Sequence, residues 1–500
     1  MNQSLFAPLL NLVARGVPFT AVDGQAFLRL PVPSSRGFYI LPIRGPAFRH
    51  WFFHEFYVQY NSLPTPRDFQ AIQHHLEAEA NCNEPNQRLS VFRRVGCRGN
   101  NRLPDQILLD LGNPESRFVE ISPDGWRVTA GTNALLQTSL STCPLPPPAL
   151  PDPDSPPPLE RLRASLNLAS RADWLRCLAW LMAALRPSGP YPVLVLQGPP
   201  GSGKSLAASI LRSLVDPSSA ALTPVPSSVR DLVTLARHNW VLAFDHISTL
   251  SPPLTDALCR LASGLGLTTR EAAGPGHEPL QQFLRRPILL TVTDRWSCPP
   301  DLADRVLTVN LPSLAGGGAR SEDSILGDLD PAWPVILGAL CSAIGTALAR
   351  LPQMSATPSG RCVTALAWAM AASPALDCTE QEIEQAFSLL PAPHPMAEAV
   401  RNLMEQRRTW TGSASELLEI LGPLVSCRTP KGVSQQLRQC MLTLADSGIE
   451  LRFRRLRQGT RVIHLSVDPG DASSEKDLED ASPFSDEPPQ VTETEELTAA

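Results

Sequence analysis

The chain has 500 residues, enough for roughly two to four domains, and its hydrophobic (43%) and charged (18%) fractions are those of folded protein. This composition argues against a wholly disordered chain, and eleven cysteines without a Cys-x-x-Cys pair argue against a disulfide scaffold or a zinc ribbon. The net charge of −6 hides a mildly basic body, because residues 468–500 carry a net −10, which leaves +4 for residues 1–467.

The N-terminus lacks the charged and then apolar layout of a signal peptide. We also recognise no uncharged run of about 18 apolar residues, the length that a membrane-spanning helix needs. The sequence therefore predicts a cytoplasmic protein with no membrane partner.

The N-terminal part, residues 1–140, mixes short extended runs with one helical pattern at residues 66–81 and predicts a small α+β domain. It closes on two predicted strands, residues 106–112 and 118–126. In the stretch from residue 144 to residue 158, nine of fifteen residues are proline, which favours an extended, semi-rigid segment. We assign residues 141–159 to a proline-rich linker.

The central part, residues 160–392, begins with an apolar helical segment at 173–185 and a continuous aliphatic strand at 191–197. Helical and aliphatic segments alternate to about residue 311, the pattern of a parallel sheet covered by helices, and a helical stretch follows at 331–390. These features predict an α/β fold with a parallel sheet and a helical extension, and the motif described below assigns this core to the P-loop NTPases.

The C-terminal part is predicted to be a winged-helix domain, residues 393–467, followed by an acidic disordered tail, residues 468–500. The domain is predicted from three helices and a hairpin, at residues 396–408, 413–421, 430–447, and 449–453 with 461–466. The tail is a candidate docking segment for a protein partner.

A glycine-rich motif carries the most specific signal, since residues 198–205 match G-x-x-x-x-G-K-[ST] between a predicted strand and a predicted helix. Backbone N–H groups of such a loop converge on phosphates, Lys204 reaches the β- and γ-phosphates, and Ser205 offers a hydroxyl to Mg²⁺. The motif predicts ATP and Mg²⁺ as cofactors. The predicted nucleotide-binding residues are Gly198, Pro199, Pro200, Gly201, Ser202, Gly203, Lys204 and Ser205.

A P-loop also needs an acidic metal ligand at the end of a neighbouring strand, and Asp245 follows the apolar run at residues 240–244. We predict that Asp245 binds Mg²⁺ with Ser205; the alternative is an aspartate that merely ends a strand. The next residue is His246, where many hydrolases of this class carry a second acid. A histidine is able to serve as the general base near neutral pH.

Two further positions are candidates for nucleotide handling. Thr291 and Thr293 lie in a third predicted strand, where ring-forming ATPases carry a polar sensor of the γ-phosphate; ordinary strand threonines are the equal alternative. Arg305 is a candidate arginine finger that acts on the nucleotide of a neighbouring subunit, weighed evenly against a plain surface arginine.

DNA contacts are predicted in two places. Residues 268–277 form a candidate pore hairpin with Arg270, against the alternative of a solvated loop. The C-terminal domain is the other place, as a DNA-binding winged helix or as a protein-docking module. Its basic residues are Lys431, Arg438, Arg452, Arg454, Arg455, Arg457 and Arg461.

The central residues resemble a known family over residues 159–311. The resemblance rests on the P-loop, on Trp174, and on the segments 184–187, 190–196, 240–245, 256–262, 286–287 and 301–305. They look like the ATP-binding proteins of bacterial prophages and integrative elements, which resemble the superfamily 3 helicase part of phage and plasmid primase-helicases. The likeness extends more weakly over most of residues 20–466.

This resemblance implies an AAA+-type core, a homo-oligomeric ring, and ATP-driven work on DNA during replication of a mobile element. By position, Lys204, Ser205, Asp245 and Arg305 match the family's nucleotide-handling residues. The chain departs from the family at Thr291, where asparagine is usual, and at His246, where asparagine is common. We find no pair of strand-borne aspartates in the N-terminal part, so primer synthesis is not predicted.

Three functions are compatible with these features. The first is a DNA-stimulated ATPase with helicase or helicase-loading activity. The second is an ATP-gated DNA-binding initiator or regulator with little or no hydrolysis, which His246 and Thr291 favour. The third is a structural ATPase that binds protein partners through the winged helix and the tail.

Overall fold

The computed structural model describes most of the chain in two compact units, residues 1–393 and 394–500. The described residues are 3–31, 38–82, 89–99, 104–113, 115–130, 135–137, 139, 141–264, 266–269, 280–282, 284–293, 296–314, 320–354, 362–388, 395–422, 425, 429–440, 444, 449–455 and 461–467. The predicted acidic tail lies outside them, as do Arg270 and Arg457.

The N-terminal part of the first unit combines helices with antiparallel sheets, one of three strands in the order β1-β2-β3 and one of four in the order β5-β6-β7-β8. A short parallel pair, β4 and β9, accompanies them. The elements are α1 (Gln3–Val13), β1 (Val17–Thr20), β2 (Ala26–Pro31), β3 (Phe38–Pro42), α2 (Pro46–Tyr60), α3 (Pro66–Cys82), β4 (Val91–Phe92), β5 (Val95–Gly99), β6 (Pro104–Asp110), β7 (Arg117–Ser122), β8 (Gly125–Ala130) and β9 (Leu135–Leu136).

Helix α2 is an element that the sequence reasoning missed. Its apolar residues occur on several faces, so the helical period is hard to see. Proline at the first position favours the helical start, and the helix ends before Asn61, which has a left-handed φ of 49°. Phe48, Phe52 and Phe56, spaced four residues apart, form the buried stripe.

A four-stranded parallel sheet forms the centre of the first unit, with strand order β11-β14-β10-β15. This confirms the predicted α/β class with a parallel sheet. The elements are α4 (Pro158–Ser165), α5 (Arg171–Ala184), β10 (Val193–Gln197), α6 (Lys204–Ser213), α7 (Val229–His238), β11 (Leu242–Ile247), α8 (Pro252–Ser263), β12 (Leu267–Thr269), β13 (Leu280–Gln282), β14 (Ile288–Val292), α9 (Pro300–Ala303), β15 (Val306–Asn310), α10 (Glu322–Leu329), α11 (Trp333–Arg350), α12 (Val363–Ala372) and α13 (Glu380–Ser388).

The sheet and its helices are held together by aliphatic burial. Leu194, Leu196 and Leu289 on the strands belong to the large core cluster that also contains residues of α5 and α11. Helix α5 is buried along almost its whole length, and the Ser170 side chain caps its N-terminus by accepting from the Asp173 N–H. Burial of this kind contributes about 25 cal/mol per Å² of apolar surface.

The helical stretch Glu322–Gln353 corrects one expectation from the sequence. By length and composition it is apolar enough to cross a membrane, so the expectation that no long apolar run exists is wrong for this stretch. In the folded protein, 61% of the most apolar 18-residue segment of this stretch is buried. Much of that burial is against other elements of the same unit, including β7, β8, α5 and α12.

The proline-rich segment lies against the core of the same unit. Its backbone is hydrogen-bonded at Leu145, whose N–H donates to Leu111 O at 2.8 Å, and at Ala149, whose N–H donates to Pro334 O at 2.9 Å. A Cβ at Gly338 of α11 would lie 2.1 Å from Ala149 O, so only glycine permits this approach. The segment is therefore a strap on α11 over these residues, and the predicted domain boundary stays a prediction.

The second unit combines three helices with one small antiparallel sheet, of order β16-β18-β17, among its described residues. Its elements are α14 (Pro395–Gln406), β16 (Thr409–Gly412), α15 (Ala414–Leu421), α16 (Pro430–Gln439), β17 (Ile449–Arg455) and β18 (Arg461–Val467). Trp410, Leu417, Leu437 and Leu465 are among the residues of its core. The predicted hairpin is confirmed, and most of the predicted continuation of the third helix, residues 440–447, lies outside the described residues.

Candidate functional site

The glycine-rich loop, residues 198–203, connects β10 to α6 at the carboxyl end of the parallel sheet. Gly201 and Gly203 have left-handed φ values of 75° and 81°, which side chains rarely adopt. A Cβ at Gly198 would lie 2.3 Å from Leu311 O and 2.8 Å from Ser202 Oγ. Each glycine is thus required by the backbone, and the loop turns sharply into the N-terminus of α6.

The first residue of α6 is Lys204, at the positive end of the helix dipole. Its Nζ donates to Gly198 O at 2.8 Å and to Pro199 O at 2.7 Å, so the ammonium group lies over the loop. Pro199 and Pro200 are exposed, while Ser202 is fully buried. The loop therefore presents backbone and a cation to one small region of space, an arrangement suited to an anion.

Asp245 of β11 lies beside the start of α6. The Ser205 hydroxyl is 3.0 Å from Asp245 Oδ1 and 3.1 Å from Oδ2, and Thr291 Oγ1 donates a hydrogen bond to Oδ1. Three predicted site residues from separate elements thus meet at one point. The order of the strands explains the contact with Thr291, because β14 lies between β10 and β11.

His246 occupies a strained position in β11. Its φ is 60°, unusual for a residue other than glycine, and the pairing of β11 with β14 is irregular between Phe244 and Ile247. The His246 N–H donates to Thr291 Oγ1 at 2.9 Å, and the residue is exposed. The role of His246 as a base stays a prediction.

Thr293 follows the last residue of β14. Its N–H donates to Ile247 O at 2.9 Å. Its hydroxyl is buried and has no hydrogen-bond partner among the residues that the structure describes. The two threonines of the predicted sensor strand therefore have different surroundings.

Arg305 lies at the amino end of the parallel strands, whereas the loop lies at their carboxyl end. Its carbonyl accepts from the N–H of Val193, the first residue of β10, whereas the loop follows the last residue of that strand. Its Nε donates to Ser263 Oγ at 3.0 Å and its Nη1 to Asp301 O at 2.9 Å. The structure does not bring Arg305 to its own chain's loop, and a role on a neighbouring subunit stays a prediction.

Asn167 is a site residue that sequence reasoning missed. Its Nδ2 donates to Ser202 O at 3.1 Å and to Pro312 O at 2.7 Å, which ties the loop to the segment after β15. A single asparagine between α4 and α5 belongs to no motif, so no sequence signal pointed to this contact.

Asp216, also missed, holds the other end of β11. Its Oδ2 accepts from the N–H groups of Trp240 and Val241 at 2.9 and 3.0 Å, and its Oδ1 pairs with Arg94 at 3.0 Å. Both side chains of this ion pair are buried. The charge of Asp216 also acts on the residue before Arg94. Burial and the charge of Arg286 lower the pKa of Arg93 to about 9, whereas Asp216 acts to raise it. The pair joins the N-terminal part to the strand that contains Asp245.

The predicted DNA contacts are described in part. Strands β12 and β13 pair antiparallel on either side of residues 270–279, which lie outside the described residues. In the second unit Lys431, Arg438 and Arg452 are exposed. Arg438 lies over the Phe453 ring at 5.0 Å, and Arg452 pairs with Glu450 at 2.6 Å. The side chains of Arg454, Arg455 and Arg461 are outside the described part of the chain.

Two family models match the chain. Residues 159–367 match the actinomycete integrative conjugative element replication protein, and residues 396–477 match the C-terminal domain of the same protein family, named RepA. Together the two matches span more than half of the chain. None of the curated proteins compared with the chain matches it.

Solved structures with a similar chain path include the apo C-terminal region of NrS-1 and the SCCmec type IV Cch active helicase. The first is 9% identical with a TM-score of 0.39, covering 93% of this chain and 99% of that one. The second is 13% identical with a TM-score of 0.39, covering 90% of this chain and 92% of that one.

Proposed function

We propose that this chain, which belongs to the family of replication proteins of actinomycete integrative conjugative elements, is an ATP-hydrolysing motor that acts on DNA. The observation that carries the proposal is that Ser205, Asp245 and Thr291 meet close to Lys204, at the carboxyl end of the parallel strands. The proposed cofactors are ATP and Mg²⁺.

The residues fit both groups. The loop glycines leave backbone N–H groups near the N-terminus of α6, and with Lys204 they form a cradle for the phosphates. Ser205 and Asp245 supply a hydroxyl and a carboxylate, the oxygen ligands that Mg²⁺ prefers. When held by Ser205 and Asp245, Mg²⁺ would supply positive charge that offsets the negative charge of the phosphates. The protein's own residues contribute by holding the phosphates and the metal in the orientation that the reaction needs.

The order of the strands supports an ATPase of the ring-forming AAA+ kind. Strand β14 lies between β10, which leads into the glycine-rich loop, and β11, which contains Asp245. Thr291, near the carboxyl end of β14, is therefore placed between the loop and Asp245. Arg305 lies at the amino end of the strands, away from the loop of its own chain, and its guanidinium contacts Ser263 and Asp301. We propose a homo-oligomeric ring in which Arg305 acts on the adjacent nucleotide.

DNA binding is assigned to the second unit. Its order of helix, strand, two helices and hairpin supports the predicted winged helix, and α16 carries the exposed residues Lys431 and Arg438. A helix of this kind enters the major groove while a basic wing contacts the backbone. Membership of a replication protein family supports DNA as the partner and the cytoplasm as the location. A protein partner for the acidic tail stays a prediction.

One observation favours a second function, an ATP-gated DNA-binding initiator with little hydrolysis. The residue that follows Asp245 is the exposed His246, with a strained backbone, where a second carboxylate is common in hydrolases of this class. In that case ATP would control assembly on DNA, and turnover would be slow or absent.

Strand separation on a forked DNA tests the two functions against each other. We expect the wild-type protein to separate the strands with ATP and Mg²⁺, and Lys204→Ala to lose this activity while still folding. Lys431→Ala is the matched control, since it changes the second unit's only lysine in the described residues and leaves the loop intact. It should keep DNA-free ATP turnover and weaken DNA binding. ATP-dependent assembly on DNA without strand separation would support the gated function instead.

A further inference from the structure

Helix α2 in the N-terminal part has a second set of rings besides its buried stripe. Residues three, four or seven positions apart lie on the same side of a helix, and this spacing relates Arg49, His50, Phe53, Tyr57 and Tyr60. We call these five residues the aromatic face of α2. The face lies to one side of the buried stripe.

The rings of the aromatic face are accessible to solvent. Tyr57 is 54% exposed, Tyr60 is 36% exposed, and Phe53 is half-buried. Val58, the residue after Tyr57, is 69% exposed. Single exposed apolar side chains are ordinary, but a group of them on one surface marks an interaction site.

The charges on this helix favour an anionic partner. Arg49 and His50 are exposed, and the Arg49 guanidinium lies over the Phe53 ring, 5.3 Å from its centroid. Glu55 is the only acid of α2, and its carboxylate pairs with Arg15. The aromatic face therefore combines rings with a permanent cation and contains no carboxylate.

Exposed rings beside a cation are the features that hold a single strand of nucleic acid. Unpaired bases stack on aromatic side chains while cations attract the phosphates, whereas the bases of a duplex are already stacked on one another. A symmetric contact between two copies of the chain fits the charges less well. It would bring the basic residues of both faces together without a carboxylate from α2.

We propose that the aromatic face of α2 binds single-stranded DNA, with bases stacked on Tyr57 and Phe53 and a backbone phosphate at Arg49. The choice of DNA rests on membership of a replication protein family. This site is separate from the DNA contacts proposed for the second unit. It binds the strand with little regard to sequence, because every base has a ring face to stack.

Substitutions of Tyr57 test the stacking, since this exposed side chain is not part of the buried core. The affinity of the full chain for a fluorescent thymidine oligonucleotide is measured by anisotropy. Tyr57→Ala should weaken binding by about tenfold, the value of one stacked base, and Tyr57→Phe should retain full affinity. Tyr57→Leu keeps an apolar side chain without the ring face, so it should weaken binding as Tyr57→Ala does.

A substitution of Arg49 tests the phosphate contact independently of the rings. Arg49→Ala should reduce the slope of log affinity against log salt by about 0.7, the value for one phosphate contact with a single strand. Leu150→Ala is the matched control, because it shortens an apolar side chain that is 74% exposed and lies outside the aromatic face. It should leave the affinity for the thymidine strand unchanged.

A duplex formed from the thymidine strand and its complement separates stacking from general attraction to DNA. The wild type and Tyr57→Ala should bind this duplex equally well, because its bases are not free to stack on the ring. The oligomeric state of each variant, measured by light scattering, should equal that of the wild type.

Full affinity for the thymidine strand in Tyr57→Ala would overturn the proposal. Full affinity in Tyr57→Leu would also overturn it, because it would identify an apolar surface instead of a stacking one. A loss of affinity that accompanies a change of oligomeric state would assign the face to a contact between copies. None of these results touches DNA-free ATP turnover, whose absence from the wild type would overturn the proposed motor alone.

Discussion

Two aspartates lie at opposite ends of β11 and are held in opposite ways. Asp216 is bound to the amino end through two backbone N–H groups and is paired with the buried Arg94, and it is 4% exposed. Asp245 lies toward the carboxyl end, is partly exposed, and is held by the neutral hydroxyls of Ser205 and Thr291.

The difference separates a structural carboxylate from one that is suited to a metal. The charge of Asp216 is neutralised by a guanidinium and its oxygens are committed to three donors. Hydroxyls orient Asp245 without neutralising it, so its negative charge is retained for a cation. A carboxylate's partner type, more than its burial, thus indicates its role in this fold.

The largest expected effect is on stability, at Asp216. Asp216→Asn leaves the buried Arg94 charge without its partner, so the free energy of unfolding should fall by about 3–5 kcal/mol. Denaturant unfolding measures the loss. The matched control is Asp256→Asn, which breaks the exposed pair with Arg260 and should cost less than about 1 kcal/mol. Equal losses in the two variants would contradict the structural role of Asp216.

The reverse pattern is expected at Asp245. Asp245→Asn should lower ATP turnover by about 10²-fold or more, because a metal ligand is lost, and should change the free energy of unfolding little. Turnover at saturating ATP and Mg²⁺, beside the unfolding curve of the same preparation, measures both. A variant with full turnover would remove Asp245 from the site.

A smaller effect is expected when both members of the buried ion pair are replaced. Arg94→Met with Asp216→Asn removes the uncompensated charge, so the double variant should recover roughly 1–3 kcal/mol relative to the sum of the single losses. The two singles and the double complete a mutant cycle in denaturant. Additive losses would show that the pair does not act as a unit.

The smallest expected effect is on DNA binding and concerns neither of the two aspartates. Lys431→Ala should weaken DNA binding at every sequence and reduce the slope of log affinity against log salt by about 1, as one phosphate contact is lost. Titrations at several salt concentrations measure the slope. Affinity independent of salt would favour protein docking by the second unit instead of DNA.

Much of the central fold was predictable because its signals are local. The aliphatic runs before the loop and before Asp245 identify buried strands, and the spacing of glycines with Lys204 and Ser205 identifies the turn between strand and helix. Asp245 followed from the need for an acid at a neighbouring strand end. Its contact with Thr291 required the strand order, which the sequence does not state.

The features that the sequence did not reveal are contacts between residues far apart in the chain and a helix without a clear hydrophobic period. Arg94 and Asp216 are 122 residues apart in sequence, and each is an ordinary charged residue until the fold buries them together. Asn167 reaches Ser202 across 35 residues. Helix α2 was missed for a different reason, since aromatic residues on several faces hide its buried stripe.

Steady-state ATP turnover by the wild-type protein and by Lys204→Ala, with and without single-stranded and forked DNA, tests the central claim most directly. We expect Mg²⁺-dependent turnover that rises with DNA in the wild type and vanishes in Lys204→Ala. ATP binding with no turnover in the presence of DNA would contradict the motor and leave the gated initiator, and turnover that survives in Lys204→Ala would place the activity outside this loop.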